Sequence, residues 1–212
     1  MARHILEQSG ILRQDFFERE AELLDQQITE GQQPQGLFIG CSDSRVVPEQ
    51  LFGLKPGDLF MLRNIANIVP PYDRSDPGIT AVLEYAVQHL HVPHIIVCGH
   101  TDCGGIKGLD ASLDATAEPS LASWLEFARP ARQVVDAAAR LNDWERHRAI
   151  VERNVVQQLR HLQSYPFVLA ALEANRLELH GWVYYLRRRS IGHYLPGPDR
   201  FEVINSPNPK AL

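Results

Sequence analysis

No apolar run in this sequence approaches the ~20 residues that a membrane-spanning helix needs. A bundle of transmembrane helices is therefore excluded as the basis of function. The opening residues, MARHILEQSG, lack the apolar core of a secretory signal, so the expected compartment is the cytoplasm. Cationic excess is absent as well. Basic residues number 21 against 26 acidic ones, a net charge of −5, which gives no footing for nucleic acid or an anionic membrane. The run Arg187, Arg188, Arg189 is short enough to be a solvated face. Cysteine is scarce, three in 212 residues, with no C-x-x-C among them. An odd count argues against a disulfide framework, and reduced thiols in a cytosolic chain point to metal binding or catalysis. Repeats, low-complexity tracts and linkers are also missing, so residues 1–212 are expected to form a single domain.

What is present is an ordinary supply of apolar residues, 44%, enough for a substantial core. Ile5, Leu6, Ile11, Leu12, Phe16, Phe17, Leu23 and Leu24 recur at roughly helical intervals, so residues 1–30 read as a helical arm, broken near Ser9–Gly10. EGQQPQG is a loop. Short apolar runs at Leu37 to Ile39, Leu59 to Leu62 and Ile95 to Cys98 suit buried strands. Between the last two, Ile79, Val82, Leu83, Ala86, Val87 and Leu90 keep helical spacing. Strand, helix, strand in that order predicts a parallel sheet with helices on its faces. Residues 121–175 read as mostly helical, with Pro130 inside and Tyr165–Pro166 ending or kinking a helix. LELHGWVYYL alternates and is expected to be an antiparallel strand, followed by another near RFEVIN and a loose tail at 205–212. The expected fold is α/β, a mostly parallel central sheet flanked by helices.

Two of the predicted strands run straight into polar residues: GLFIGCSDSR and HIIVCGHTDCGG. In a parallel sheet the strand C-termini point the same way, and ligand sites form outside them. Cys41 and the pair His100/Cys103 are thus expected to converge. Two thiolates and an imidazole are a familiar zinc set, and a fourth position left open marks a catalytic ion. H-x-x-C alone is a weak signal; its conjunction with a cysteine at the matching end of a second strand is what carries weight. Gly40, Gly99, Gly104 and Gly105 give the backbone room for close approach. Cys98, inside its strand, is expected to be a buried core thiol.

CSDSR followed by HTDCGG resembles the signature of the β-class carbonic anhydrases. RNIANIVPPYD, EYAVQHL, IIVCGH and CGGIKGL are also similar to that family, especially its plant and cyanobacterial members. The likeness covers Gln32 to Leu109 closely and HGWVYYL more loosely. It implies a mostly parallel α/β fold and a homodimer or dimer-based higher oligomer, with N-terminal helices reaching over the partner. By resemblance, Cys41, His100 and Cys103 bind Zn²⁺. Asp43 and Arg45 match the family's carboxylate–guanidinium dyad, with Arg45 gripping Asp43 and Asp43 orienting zinc-bound hydroxide for attack on CO₂. The implied substrates are CO₂ and bicarbonate.

The family's pocket residues match Gln32, Phe60 and Tyr85, some of which reach across the dimer, with Gly104 beside the metal. His89 is a candidate proton shuttle, because imidazole titrates near neutrality. One branch of the family holds an inhibitory bicarbonate with a tryptophan and an arginine. Here Phe38 replaces the tryptophan while Arg63 matches the arginine, so the zinc vertex is expected to stay open with Asp43 on Arg45. Two other readings stand beside hydration: hydrolysis of carbonyl sulfide or carbon disulfide on the same scaffold, and a non-catalytic zinc or bicarbonate module. The segment RRRSIGHYLPGPDRF departs from the short hairpin expected after HGWVYYL.

Overall fold

A computed structural model describes residues 14–111, 116–138 and 140–205. The Ser9–Gly10 break and the end of the C-terminal tail lie outside the described residues. Six strands form one sheet in the order β2-β1-β3-β4-β5-β6. They are β1 (Gly36–Cys41), β2 (Leu59–Asn64), β3 (His94–His100), β4 (Glu178–Tyr185), β5 (Ser190–Leu195) and β6 (Arg200–Asn205). β1 pairs in parallel with β2 and β3, and β3 in parallel with β4. β5 and β6 add on antiparallel. β1 is buried at every residue, as a continuous apolar run in the interior of a parallel sheet must be. Leu37 and Ile39 face the main core, while Phe38 joins Ile96 and Cys98 in a smaller cluster on the opposite face.

The helices are α1 (Gln14–Glu30), α2 (Pro48–Phe52), α3 (Pro77–Glu84), α4 (Gly104–Gly108), α5 (Pro119–Leu125), α6 (Arg129–Ala138), α7 (Asp143–Leu162) and α8 (Pro166–Glu173). Five of them carry proline in the opening turn with no helical donor to lose, α2, α3, α5, α6 and α8. Asp76 caps α3 by accepting from the Gly78 and Ile79 amides, and Asn142 with Glu145 forms a reciprocal capping box on α7. α3 runs on into a wide π-helical turn, Tyr85–His89. α7 is the long helix of the main core, burying Ile150, Val151, Val155, Leu159 and Leu162. It lies close to the sheet because Gly99 on β3 and Gly181 on β4 carry no side chains. A Cβ at Gly99 would meet Val155 Cγ2 at 2.8 Å, and one at Gly181 would meet both Leu159 and Val155 at 3.0 Å.

The helical reading of 121–175 holds as α5 to α8. Pro130 falls in the first turn of α6, where it is tolerated, and Pro166 opens α8. β4 requires a correction. It is parallel to β3 and antiparallel only to β5, because alternation along a strand reports which face is buried and not which way its neighbours run. The segment after Leu186 is a turn, β5, a second turn and β6. Arg187 and Arg189 are exposed in the first turn. Arg153 of α7 fastens the second turn with two hydrogen bonds of 2.9 Å to Asp199. No helix among the described residues is long and apolar enough to cross a membrane.

Candidate active site

Cys41 is the last residue of β1 and His100 the last of β3, neighbouring parallel strands. Asp102, at φ +63°, turns the chain in the left-handed region and returns Cys103 to the start of α4. Gly105 lets that start press onto the Ile65–Ala66 turn, where a Cβ would lie 2.8 Å from Ile65 Cγ2. The result is a trio whose ligand atoms all lie within 4.8 Å of one another, and all three residues are buried. Sulfurs about 2.3 Å from a tetrahedral zinc stand ~3.8 Å apart. The observed separation of Cys41 Sγ and Cys103 Sγ is 3.9 Å.

The imidazole fits the same ion. His100 Nδ1 lies 3.0 Å from the Thr101 carbonyl oxygen, and donation to that oxygen leaves Nε2 carrying the lone pair. Nε2 is buried with no hydrogen-bond partner. An orphaned buried nitrogen is costly unless a ligand satisfies it, and a divalent cation would do so here. The two thiols share one proton-binding problem. The Cys41 pKa is lowered, chiefly by its hydrogen bond with Cys103, while that same contact and burial raise Cys103. Cys41 and Cys103 would both serve as thiolates toward a cation that replaced the retained proton. Cys98 is a buried core thiol as expected, with burial pushing its pKa up to about 12.

Asp43 and Arg45 follow Cys41 in the loop. Asp43 Oδ1 accepts from the Arg45 amide at 3.0 Å and from Nε at 2.9 Å, and Oδ2 accepts from Nη2 at 2.7 Å. The Arg45 side chain hydrogen bonds hold the Asp43 carboxyl well below the usual carboxylate range, so it is ionised at neutral pH. Asp43 Oδ2 lies 3.9 Å from His100 Nε2, on the approach to the metal position. Arg45 is itself clamped from the other side. Its Nη1 donates to Asp102 Oδ2 at 2.7 Å and its Nη2 to the Asp102 carbonyl at 3.1 Å. Asp102 also pairs with Lys107 of α4, and these two cations hold its pKa down to about 2, Lys107 being the stronger. Arg63 donates to the carbonyls of Cys41 and Asp43 at 2.8 to 3.0 Å, fixing the backbone that carries the site. Asp102 and Lys107 were absent from the sequence-based site. The only signal for them was a polar residue between two metal ligands and a lysine one helical turn beyond.

The predicted pocket residues are placed differently. Phe60 pairs with Leu37 in the β1–β2 register, four residues before Cys41 and roughly 13 Å from it along the strand. Tyr85 stacks on Phe60 with ring centroids 5.7 Å apart, and His89 stacks on Tyr85 at 5.4 Å. Gln32 is exposed in the loop ahead of β1, also at the strand end away from Cys41. Within one chain these four residues therefore gather at the other end of the strands and do not join the trio. Gly104 does adjoin it, and a Cβ there would meet no atom within 4 Å, so space is open beside Cys103. Phe38 is fully buried and packs toward Phe52. A cavity of about 690 Å³ between α6, α7 and the last strands includes none of the trio.

Two thiols and an orphaned imidazole nitrogen gathered at the ends of parallel strands, with a fixed carboxylate beside them, define a zinc enzyme of α/β fold. The carbonic anhydrase family profile matches residues 36–191. A carbonic anhydrase from Pseudomonas aeruginosa is 44% identical over 180 residues, covering 85% of this chain and 81% of that protein. The solved β-carbonic anhydrase CcaA superposes with a TM-score of 0.86 at 34% identity, covering 95% of this chain and 98% of that one. One of two tetrameric β-carbonic anhydrases from Sordaria macrospora superposes with a TM-score of 0.75 at 31% identity, over 96% of each chain. The chain belongs to the β-class carbonic anhydrase family.

Proposed function

We propose that this chain catalyses the reversible hydration of CO₂ to bicarbonate and a proton, with Cys41, His100 and Cys103 holding zinc. The observation that carries this is the convergence of two sulfurs and the orphaned His100 Nε2, with an ionised carboxylate 3.9 Å from that nitrogen. When bound, zinc supplies the Lewis acidity that makes a hydroxide equivalent available near neutral pH. Asp43 does the orienting. Its Oδ2 accepts the O–H of the attacking solvent and so aims an oxygen lone pair at the carbon of CO₂. Arg45 keeps Asp43 ionised and keeps it off the ion, since both carboxylate oxygens are engaged by the guanidinium. A purely structural ion would have no use for such a clamp, which disfavours the non-catalytic reading.

The remaining roles rest on a second copy of the chain. Gln32, Phe60 and Tyr85 line the CO₂ pocket of a partner's site, and His89, exposed on the wide turn and stacked on Tyr85, exports the proton. α1 supports the pairing: it lies mostly exposed, and Ile28 on it is 81% exposed in the single chain. The Sordaria macrospora relatives are tetrameric, in keeping with a homodimer or an assembly of dimers. The single domain works in the cytoplasm. Stopped-flow CO₂ hydration with metal analysis tests the reading. Cys41→Ala, His100→Ala and Cys103→Ala are expected to lose zinc and nearly all activity. A variant of the trio that hydrates CO₂ at the parental rate without zinc would overturn it.

A further inference from the structure

The sheet carries a second gathering of metal-ligating groups away from the trio. His94 opens β3, and Glu178 opens β4 directly opposite it in the parallel register. His180 stands two residues further along β4, so it leaves the same face as Glu178. His193 on β5 is paired with Trp182, two residues beyond His180, and joins that face as well. Three adjacent strands thus bring three imidazoles and a carboxylate together. His94 and His100 terminate opposite ends of β3, six residues and roughly 20 Å apart along the strand.

We propose that His94, Glu178 and His180 form a second binding site for a divalent transition-metal ion of the zinc class, with His193 at its margin. One ligand atom from each of the three lies within 4.8 Å of the other two. Imidazole nitrogens about 2.0–2.1 Å from a tetrahedral ion stand ~3.3 Å apart. His180 Nε2 and His94 Nδ1 are 3.2 Å apart. Glu178 Oε2 lies 3.6 Å from His180 Nε2 and 3.9 Å from His94 Nδ1, so small side-chain rotations bring it to the same edge length. Only one proton fits between the two nitrogens, so at least one of them already presents a lone pair.

The chemistry selects the class of ion. Two imidazoles with one carboxylate suit zinc, cobalt, nickel or copper, whereas calcium and magnesium favour all-oxygen shells. Ligation requires neutral imidazole. Burial, then the neighbouring His94, lowers the His180 pKa, and the ring is uncharged at neutral pH. Access is open, because the side chains of Glu178 and His94 are 71% and 43% exposed while that of His180 is 25% exposed. A site joining the first residues of two parallel strands forms only in the folded chain, so its occupancy stabilises the fold. The alternative is a plain His–His hydrogen bond flanked by a surface carboxylate.

Zinc uptake by the untagged holoenzyme separates the two. Dialysis against free zinc near neutral pH, followed by metal analysis, is expected to give two ions per chain. His94→Ala and His180→Ala are each expected to lose the second ion, keep the first, and hydrate CO₂ at the parental rate. Should either truncation fold poorly, Glu178→Gln, the most exposed of the three, is expected to weaken uptake of the second ion and to abolish the added thermal stability that excess zinc confers on the parent. A holoenzyme that stops at one ion per chain overturns the proposal. So does a second ion retained undiminished by all three variants.

Discussion

Asp43 uses its two oxygens differently: Oδ1 takes the Arg45 amide and Nε, while Oδ2 takes Nη2 and also points along the approach to His100. Removing the carboxylate leaves all three zinc ligands in place. Asp43→Ala is therefore expected to keep a full complement of zinc and lose activity by roughly 10²-fold or more, as loss of a positioned proton-handling group does. Metal analysis beside stopped-flow hydration reads both. A variant with full zinc and parental turnover would show that the carboxylate is idle. Asp102 acts one step further back, through Arg45. Asp102→Ala is expected to leave zinc bound and reduce turnover about tenfold, the rate equivalent of one charge-assisted hydrogen bond of ~1.5 kcal/mol. Asp102→Asn retains an acceptor and is expected to recover most of that loss, whereas Asp102→Gly, which suits the left-handed turn but has no acceptor, is expected not to; recovery by Gly would assign the loss to the turn.

Among the elements, α7 positions the site from behind. Asn154 donates to the Ala66 carbonyl at 3.0 Å, and Gln158 accepts from the Val69 amide at 3.0 Å, holding the turn against which Gly105 packs. That bracing depends on the helix lying close to the sheet. Gly99→Ala drives a methyl group into Val155 and is expected to cost about 1–3 kcal/mol, seen as a lower thermal midpoint. Adding Val155→Ala removes the clash and is expected to restore part of the loss; no recovery would mean that Gly99 matters for another reason. The α6–α7 hairpin is tied by Arg146, which donates to Asp110 at 2.7 and 3.0 Å and to Asp136 at 2.6 and 3.0 Å. Arg146 lowers the pKa of both carboxyls from the ordinary 3.8. A depressed carboxyl stabilises the fold above its unfolded pKa and loses that contribution as pH falls through the folded value. The difference in thermal midpoint between the parent and Asp136→Asn should thus be level from neutral pH down to ~5 and vanish in stronger acid. It should also shrink with added salt, because these groups are partly exposed. A difference that persists at the acid end would assign the effect to packing.

For the whole molecule, Gln32, Phe60 and Tyr85 stand at the strand ends away from Cys41, so the proposed pocket requires a second copy of the chain. Dilution is expected to lower specific activity in step with the loss of dimer measured by sedimentation, before secondary structure is lost. A fully active monomer would remove those three residues from the pocket. The trio itself was legible in the sequence because Cys41 and His100 each terminate an apolar run, and parallel strands must bring such ends to one side of the sheet. Asp43 and Arg45 were legible through likeness to known relatives. The main strands and the helical reading of 121–175 followed from hydrophobic periodicity, which reports burial. Periodicity is silent on pairing direction, so the antiparallel reading of β4 holds toward β5 but not toward β3, and β5 went unread within a polar, arginine-rich segment. Asp102 on Arg45, Arg63 on the Cys41 carbonyl, and His94 beside His180 are contacts between side chains distant in sequence or dependent on a left-handed turn. Local chemistry along the chain specifies which groups are available and which faces are buried; register and turn geometry, settled only when the sheet closes, decide which of those groups touch.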